Sequence, residues 1–285
     1  MKSGVKRTTP YKVISIIILV ILAILFLFPL YWIVTGAFKP TTDIYASQPV
    51  WWPSEWVTSN FEKLFTKRSA PLFEIGSLVA PTVPAAIRWL VNTVFMSVAA
   101  MLLTCITAAM AGYALAKKRF VGRTLLFSLI ICAMALPKQV ILIPLLKEMS
   151  ALKLYGSLWA VIFPTVGWPF GVFLMKQFCE GVPGEMLEAA RIDGASEART
   201  FTQIVVPLIK PGIGALAIFT FINSWNDYFM QLVMLPNSAN FTISLGIATL
   251  QGESSVDTGL LMAGAALAAV PIIIVFLIFQ KYFTQ

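Results

Sequence analysis

The chain has 285 residues, 58% of them hydrophobic and 12% charged, with a mean hydropathy of +0.83, which excludes a soluble globular domain and specifies an integral membrane protein. The formal net charge of +8 does not imply nucleic acid, because Lys and Arg gathered at the cytoplasmic ends of membrane helices produce the same balance. There is no His, so the commonest general base and metal ligand are missing, and Cys105, Cys132 and Cys179 have no CxxC spacing and read as packing residues rather than a disulfide framework or a zinc site.

Six stretches reach the roughly 20 apolar residues that a helix needs to cross the hydrocarbon core. The first is free of charge from Val13 to Phe38 and follows Lys2, Lys6, Arg7 and Lys12. It is too long for a signal-peptide core and shows no small-residue cleavage site, so it reads as a retained anchor. The second lies between Arg88 and Lys117 and runs straight into "KKRFVGR". The third extends from about Thr124 to Leu146 and is broken by Pro137, Lys138 and Pro144. The fourth fills the interval from Lys153 to Lys176, with Pro164 and Pro169 inside it. The fifth runs from about Gly212 to Leu235 and holds Asp227, and the sixth lies between Asp257 and Lys281.

With residues 1–12 in the cytoplasm, segments 117–123 and 176–210 fall inside, and 39–88, 147–157 and 236–257 fall outside. The inner segments carry Lys117, Lys118, Arg119, Arg123, Lys176, Arg191, Arg199 and Lys210. This asymmetry puts both termini in the cytoplasm. The expected fold is all-α: a six-helix membrane domain over 13–285 with one long external segment, 39–88. Basic residues in that segment carry little weight, since long loops translocate with little regard to charge. Its Trp51, Trp52 and Trp56 are expected at an interface or packed under a small cap.

Between the fourth and fifth spans lies a soluble interruption at 180–207. Pro183 suits a first helical turn, Glu185 and Glu188 favour that helix's positive end, and Gly194 suits a left-handed turn ending it. Ser196 can cap a second short helix with Glu197 in its first turn. Ala189, Ala190, Ala195 and Ala198 keep the surface low in relief. Such a helix–Gly–helix unit suits a groove on another protein, or else rests on headgroups as an amphipathic linker; the residues alone leave both open.

The pattern Glu188-Ala189-Ala190, three residues, Gly194, nine residues, Ile204-Val205-Val206-Pro207 resembles the EAA motif of ABC importer membrane subunits. The single departure is Val206 where Leu is usual. "RWLVNTVFMS", "AMAGYALAKKRFVGR", "ALPKQVILIPLL" and "FINSWNDYF" are similar to the carbohydrate-uptake branch, and within it to the smaller, maltose-transport G-type permease. The likeness covers about 12–283 and is weakest over 40–85. It implies a type I importer permease fold in the cytoplasmic membrane of a bacterium or archaeon. It also implies that Glu188, Ala189, Ala190, Gly194, Ile204 and Pro207 form or brace a coupling helix docked on a cytoplasmic ATPase. The implied partners are a second, homologous permease, two ABC ATPase subunits and an extracytoplasmic sugar-binding protein. Family members usually continue past "KYF" with a Gly-rich tail, whereas this sequence ends at Gln285, which leaves open a trimmed tail or a subunit without that contact.

No G-x-x-x-x-G-K-[ST] is present, so ATP and its Mg are expected on the partner ATPase and no cofactor on this chain. No catalytic constellation is visible, so an enzyme is not expected. Ionisable groups inside a membrane are costly and usually face protein or water. Asp227 with Asn223, Ser224 and Gln231 makes a polar helical stripe expected to face the translocation path or a partner permease, or else to serve helix–helix hydrogen bonding. Lys138, followed by Gln139, either snorkels to outer headgroups or attracts an anionic sugar. Rival readings are the same permease class carrying another solute such as glycerol phosphate, an ion-coupled secondary transporter, which would need an internal repeat that is not evident, and a membrane enzyme.

Overall fold

The structure is a computed structural model, and it describes residues 10–72, 74–75, 78–79, 81–251 and 257–279. Lys2, Lys6, Arg7, Lys281 and the "KYF" end lie outside the described residues. In chain order the elements are α1 (Pro10–Ala37), α2 (Thr41–Ile44), α3 (Ser59–Thr66), β1 (Ser69–Pro71), β2 (Glu74–Ile75), β3 (Leu78–Val79), β4 (Thr82–Pro84), α4 (Ala85–Lys117), α5 (Arg123–Met134), α6 (Lys138–Ala151), α7 (Trp159–Val166) and α8 (Pro169–Glu180). They continue as α9 (Gly184–Ile192), α10 (Glu197–Thr200), a π-helical turn (Phe201–Val205), α11 (Val206–Leu208), α12 (Lys210–Asn226), α13 (Tyr228–Met234), a 3-10 turn (Ser238–Asn240), α14 (Ile243–Leu250) and α15 (Thr258–Phe279).

Among the described residues four helical stretches are long and apolar enough to cross a bilayer: Tyr11–Ala37, Ala85–Lys117, Trp159–Glu180 and Thr258–Ile278. The count reaches six if each of two bent pairs is one span. The third expected span is one of those pairs: α5 and α6 meet at 108°, because Pro137 offers no N–H and pushes the residue before it out of the helical region. The fifth is also interrupted. The chain leaves helical geometry at Asp227, with φ −77° and ψ 70°, and resumes as α13. The polar stripe expected from unbroken helix periodicity over Asn223, Asp227 and Gln231 therefore does not exist as a single face.

By its contacts the chain divides into two compact units. The first comprises residues up to 67 and 250–267. There the side chains of α1 are largely exposed from Tyr11 to Phe28, as in an element whose surroundings are lipid or another chain. The aromatic end of α1 packs on the segment after it: Phe28 and Trp32 each lie 5.9 Å from Trp51, Phe38 lies 5.6 Å from Trp56, and Trp52 stacks edge-on to Trp56 at 5.3 Å. The three tryptophans remain more than half exposed. Lys39 is buried, donating to Val50 O at 2.5 Å with its ammonium 4.0 Å from the Trp32 ring, and Asn60 donates to Ala37 O and Lys39 O.

The second unit comprises 68–249 and 268–285. It opens with a feature that an all-helical reading misses: β1 pairs antiparallel with β4 (Ser69 opposite Pro84), and β2 with β3 (Glu74 opposite Val79). Strands of two or three residues leave too short a period to detect in sequence. The centre of the unit is α4, against which α7, α8 and α12 pack. Gly112 makes the α4–α8 approach possible, since a Cβ there would lie 2.7 Å from the backbone of Met175 and Lys176. Small residues are what bring membrane helices this close. One buried cluster gathers Ala108, Tyr113, Met175, Cys179 and Ile209, and a second gathers Met96, Ala160, Ile162, Met234 and Leu245. Cys105 and Cys179 pack as expected, whereas Cys132 is exposed.

Candidate functional site

Two regions carry the polar chemistry of the second unit. In the first, over 180–208, the structure reproduces the expected helix–Gly–helix. Gly184–Ile192 is helical with Glu185 in its first turn, and Pro183 occupies the capping position just before it. Gly194 adopts φ +73°, which L side chains other than Asn and Asp rarely adopt. Ala195 N donates to Ala190 O at 2.9 Å, closing the turn. Ser196 then caps α10, its hydroxyl accepting from Arg199 N at 3.3 Å. The chain winds through the π-turn and α11 to Leu208, and this stretch lies at 78° to α12, with Pro211 at the start of α12.

The unit is fastened by its inner face. Leu187 and Ala190 are buried, and Val205 lies in the same cluster as Tyr113 and Ile209. Lys117 donates to Val182 O at 2.6 Å and to Glu180 O at 3.1 Å. Glu197 forms an ion pair with Lys118, lies 3.6 Å from Arg191, and accepts from the Tyr113 hydroxyl at 3.2 Å. The bond from Lys118 is the main reason that the Glu197 carboxyl sits below its ordinary pKa. Tyr113 also stacks on Phe201, ring centroids 5.4 Å apart. The outer face has no fastening: Glu188, Ala189 and Gly194 are exposed, Ile192 is 86% exposed, and a Cβ on Gly194 would meet nothing within 4 Å. Of the motif's other members, Pro207 is exposed and Ile204 is half-buried.

The second region is a cavity of about 780 Å³ bounded by residues of α5, α6, α7, α8, α12 and α13 and the loops between them. Lys138, Asn223, Ser224 and Asp227 all line it, with Trp168, Phe163 and Glu148. Lys138, the first residue of α6 after the Pro137 break, pairs with Asp227 at 3.2 Å. The Lys138 side chain is about half exposed beside this carboxylate. Asp227 also accepts from Met230 N at 3.3 Å and so caps α13. Asn223 Nδ2 donates to Phe219 O.

The structure does not bring two expected members to the cavity. Gln231 is fully buried, donating to Ser224 O at 3.0 Å and accepting from the Thr242 hydroxyl, so it holds the interrupted helix to the segment before α14. Gln139 is exposed on α6 and is not among the lining residues. Sequence reasoning missed Trp168 and Glu148, which reach the cavity only through tertiary packing. It also missed Arg88 and Asn92, both of which bond to Ala239 O. Among the described residues there is no group of three or more His, Cys, Asp or Glu able to hold a metal ion.

The arrangement has known counterparts. An arabinooligosaccharides transport system permease protein of Halalkalibacterium halodurans is 33% identical, over 92% of this chain and 89% of its own length. A diacetylchitobiose uptake system permease protein of Streptomyces coelicolor is 26% identical, over 95% and 85%. Among solved structures, a bacterial ABC transporter involved in the import of the acidic polysaccharide alginate has a chain that superposes with a TM-score of 0.78, at 21% identity and covering 99% of both chains. That likeness establishes the fold. The family model described as "Binding-protein-dependent transport system inner membrane component" matches residues 106–285, an interval that contains both polar regions. The chain therefore belongs to the family of binding-protein-dependent transport system inner membrane components, as a multi-pass permease subunit and not an enzyme.

Proposed function

We propose that this chain is a permease subunit of an ATP-driven, binding-protein-dependent importer of sugars or oligosaccharides, and that it forms half of the translocation pathway. Segment 180–207 couples it to a cytoplasmic ABC ATPase, with the exposed Glu188, Ala189 and Gly194 docking, the buried Ala190 seating their helix on the bundle, and Ile204 and Pro207 completing the segment. ATP and Mg belong to that ATPase, of which two copies serve the complex. A second, homologous permease supplies the other half of the path, and an extracytoplasmic binding protein delivers the cargo. The membrane is the cytoplasmic membrane of a bacterium or archaeon, and both termini face the cytoplasm.

The observation that carries this reading is the asymmetry of the helix–Gly–helix unit. Its inner face is anchored by burial and by the Lys117, Lys118 and Glu197 contacts, while its outer face is exposed and without a partner among the described residues. An element built to transmit force needs both properties: a rigid attachment to the bundle and a free surface for the motor. A headgroup-resting linker needs neither. Carbohydrate as cargo is supported by the relatives named for arabinooligosaccharides and diacetylchitobiose.

The test is binding-protein-stimulated ATP hydrolysis by the purified complex, comparing wild type with Gly194→Asp across neutral and acidic oligosaccharides. Coupling through this segment predicts that stimulation is lost while the permease remains folded in the membrane. Full stimulation in the variant would overturn the docking role.

A further inference from the structure

The cavity around Lys138 answers a question that its family membership leaves open, namely what charge its occupant carries. Its lining includes one cation, Lys138, and two carboxylates, Asp227 and Glu148. The cation is not available to an anion on its own: its ammonium lies 3.2 Å from Asp227 Oδ2. An anionic group close enough to bond Lys138 would therefore also confront the Asp227 carboxylate. Asp227 cannot swing away freely, because its other oxygen caps α13 through Met230 N.

The remaining lining groups are those that a neutral polyol uses. Asn223 spends its Nδ2 on Phe219 O, which leaves its carbonyl oxygen as an acceptor. Ser224 also lines the cavity, but its Oγ is buried and closed off from it. Trp168 and Phe163 supply aromatic surface, with the Lys138 ammonium 5.9 Å from the Trp168 ring centre. A pyranose or furanose ring has an apolar C–H face and a hydroxyl rim, and this wall offers a matching apolar face with polar groups at its edge. The volume of about 780 Å³ is within the usual range for small-molecule sites.

We propose that this cavity is a charge-compensated saccharide site on the permease itself, in which the Lys138–Asp227 pair admits uncharged sugar units and discriminates against uronates and sugar phosphates. The inference rests on the importer reading above and deepens it. Hydroxyls can bridge the paired ammonium and carboxylate, accepting from one and donating to the other. A carboxylate or phosphate can satisfy only the first and is repelled by the second.

The experiment is equilibrium dialysis of radiolabelled arabinotriose, maltotriose and chitobiose, and of trigalacturonate, against the purified permease pair with its ATPases, without binding protein. Omitting the binding protein isolates the selectivity of the membrane site. At least one neutral sugar is expected to bind wild type tenfold or more tightly than trigalacturonate. Asp227→Asn keeps the size and the Met230 cap while freeing the Lys138 charge, and is expected to close that gap by about tenfold. Lys138→Gln, which removes the cation and leaves the Asp227 charge uncompensated, is expected to weaken trigalacturonate more than the neutral sugars and so to widen the gap. Equal or tighter binding of trigalacturonate by wild type, an unchanged ratio in Asp227→Asn, or no binding of any of these sugars would each overturn the proposal. Binding-protein-stimulated hydrolysis by the same preparations separates the two claims: if stimulation persists while selectivity fails, the importer reading stands and the charge-compensated site does not.

Discussion

The coupling segment and the cavity are both polar interruptions of an apolar chain, and they are built in opposite ways. The coupling segment is local. Its helix start, left-handed turn and second cap are set by Pro183, Gly194 and Ser196 within 14 residues, and its proposed docking face is exposed. The cavity is assembled from distant pieces, its central pair 89 residues apart in sequence, and that pair's charges answer each other. Local chemistry here is exposed, while tertiary chemistry is paired. On the proposed function the difference teaches where to expect each failure: damage to the segment should uncouple a folded protein, and damage to the cavity should change what is carried.

The largest effect is expected at Gly194. Asn reaches left-handed backbone more readily than other side chains, so Gly194→Asn retains the turn, whereas a β-branched Gly194→Val adds about 1–2 kcal/mol of strain. A Cβ at this position meets no described atom within 4 Å. Stimulated ATP hydrolysis is therefore expected to fall more than tenfold for Val and less for Asn. Equal, full activity in both would remove the distinction between an outward and an inward face.

Next in size is the α4–α8 crossing that supports both regions. Gly112→Leu inserts a side chain where a Cβ alone would lie 2.7 Å from backbone atoms of Met175 and Lys176, and overpacking of this kind costs about 1–3 kcal/mol. A lower thermal unfolding temperature in detergent, with both stimulated hydrolysis and sugar binding reduced, is the expected outcome. Loss of only one activity would show that the two regions do not share this support.

A smaller effect is expected at Glu197, whose carboxylate ties Lys118 and Arg191 across the base of the coupling segment. Its folded pKa is depressed, so the stabilisation it gives is present above its unfolded pKa and disappears as pH falls through the lower, folded value. Stimulated hydrolysis in wild type should consequently be insensitive to this group from neutral pH down through the ordinary carboxylate range. Glu197→Gln should reduce coupling a few-fold at neutral pH, because its ion pairs are largely solvent-exposed and such pairs contribute little. The smallest change is expected for Ser224→Ala: its hydroxyl has no partner among the described residues and is closed off from the cavity, so unfolding temperature and neutral-sugar binding should both move little.

The coupling segment was legible in the sequence because each of its signals is a short-range backbone preference. The family likeness rested on the same residues. The cavity was half legible. Pro137 announced the α5–α6 break, and Lys138, Asn223 and Asp227 stood out as polar groups in apolar runs. The pairing of Lys138 with Asp227 could not be read, since it depends on how α6 and α12 converge. The interruption at Asp227 could not be read either, because no Pro or Gly marks it. Assuming an unbroken helix carried Gln231 onto the wrong face, whereas the structure buries it against Thr242. The strands over 69–84 were invisible because two or three residues are too few to show an alternation of period two.

The central claim is that the outer face of segment 180–207 meets a protein and not the lipid surface. Ile192, exposed at the end of α9, is the place to ask. A photo-crosslinking amino acid at position 192, activated in membranes that hold the full complex, should capture the ATPase subunit, and Gly194→Asp in the same chain should abolish that product. Crosslinks to phospholipid, with the ATPase uncaptured while hydrolysis is still stimulated, would contradict the account.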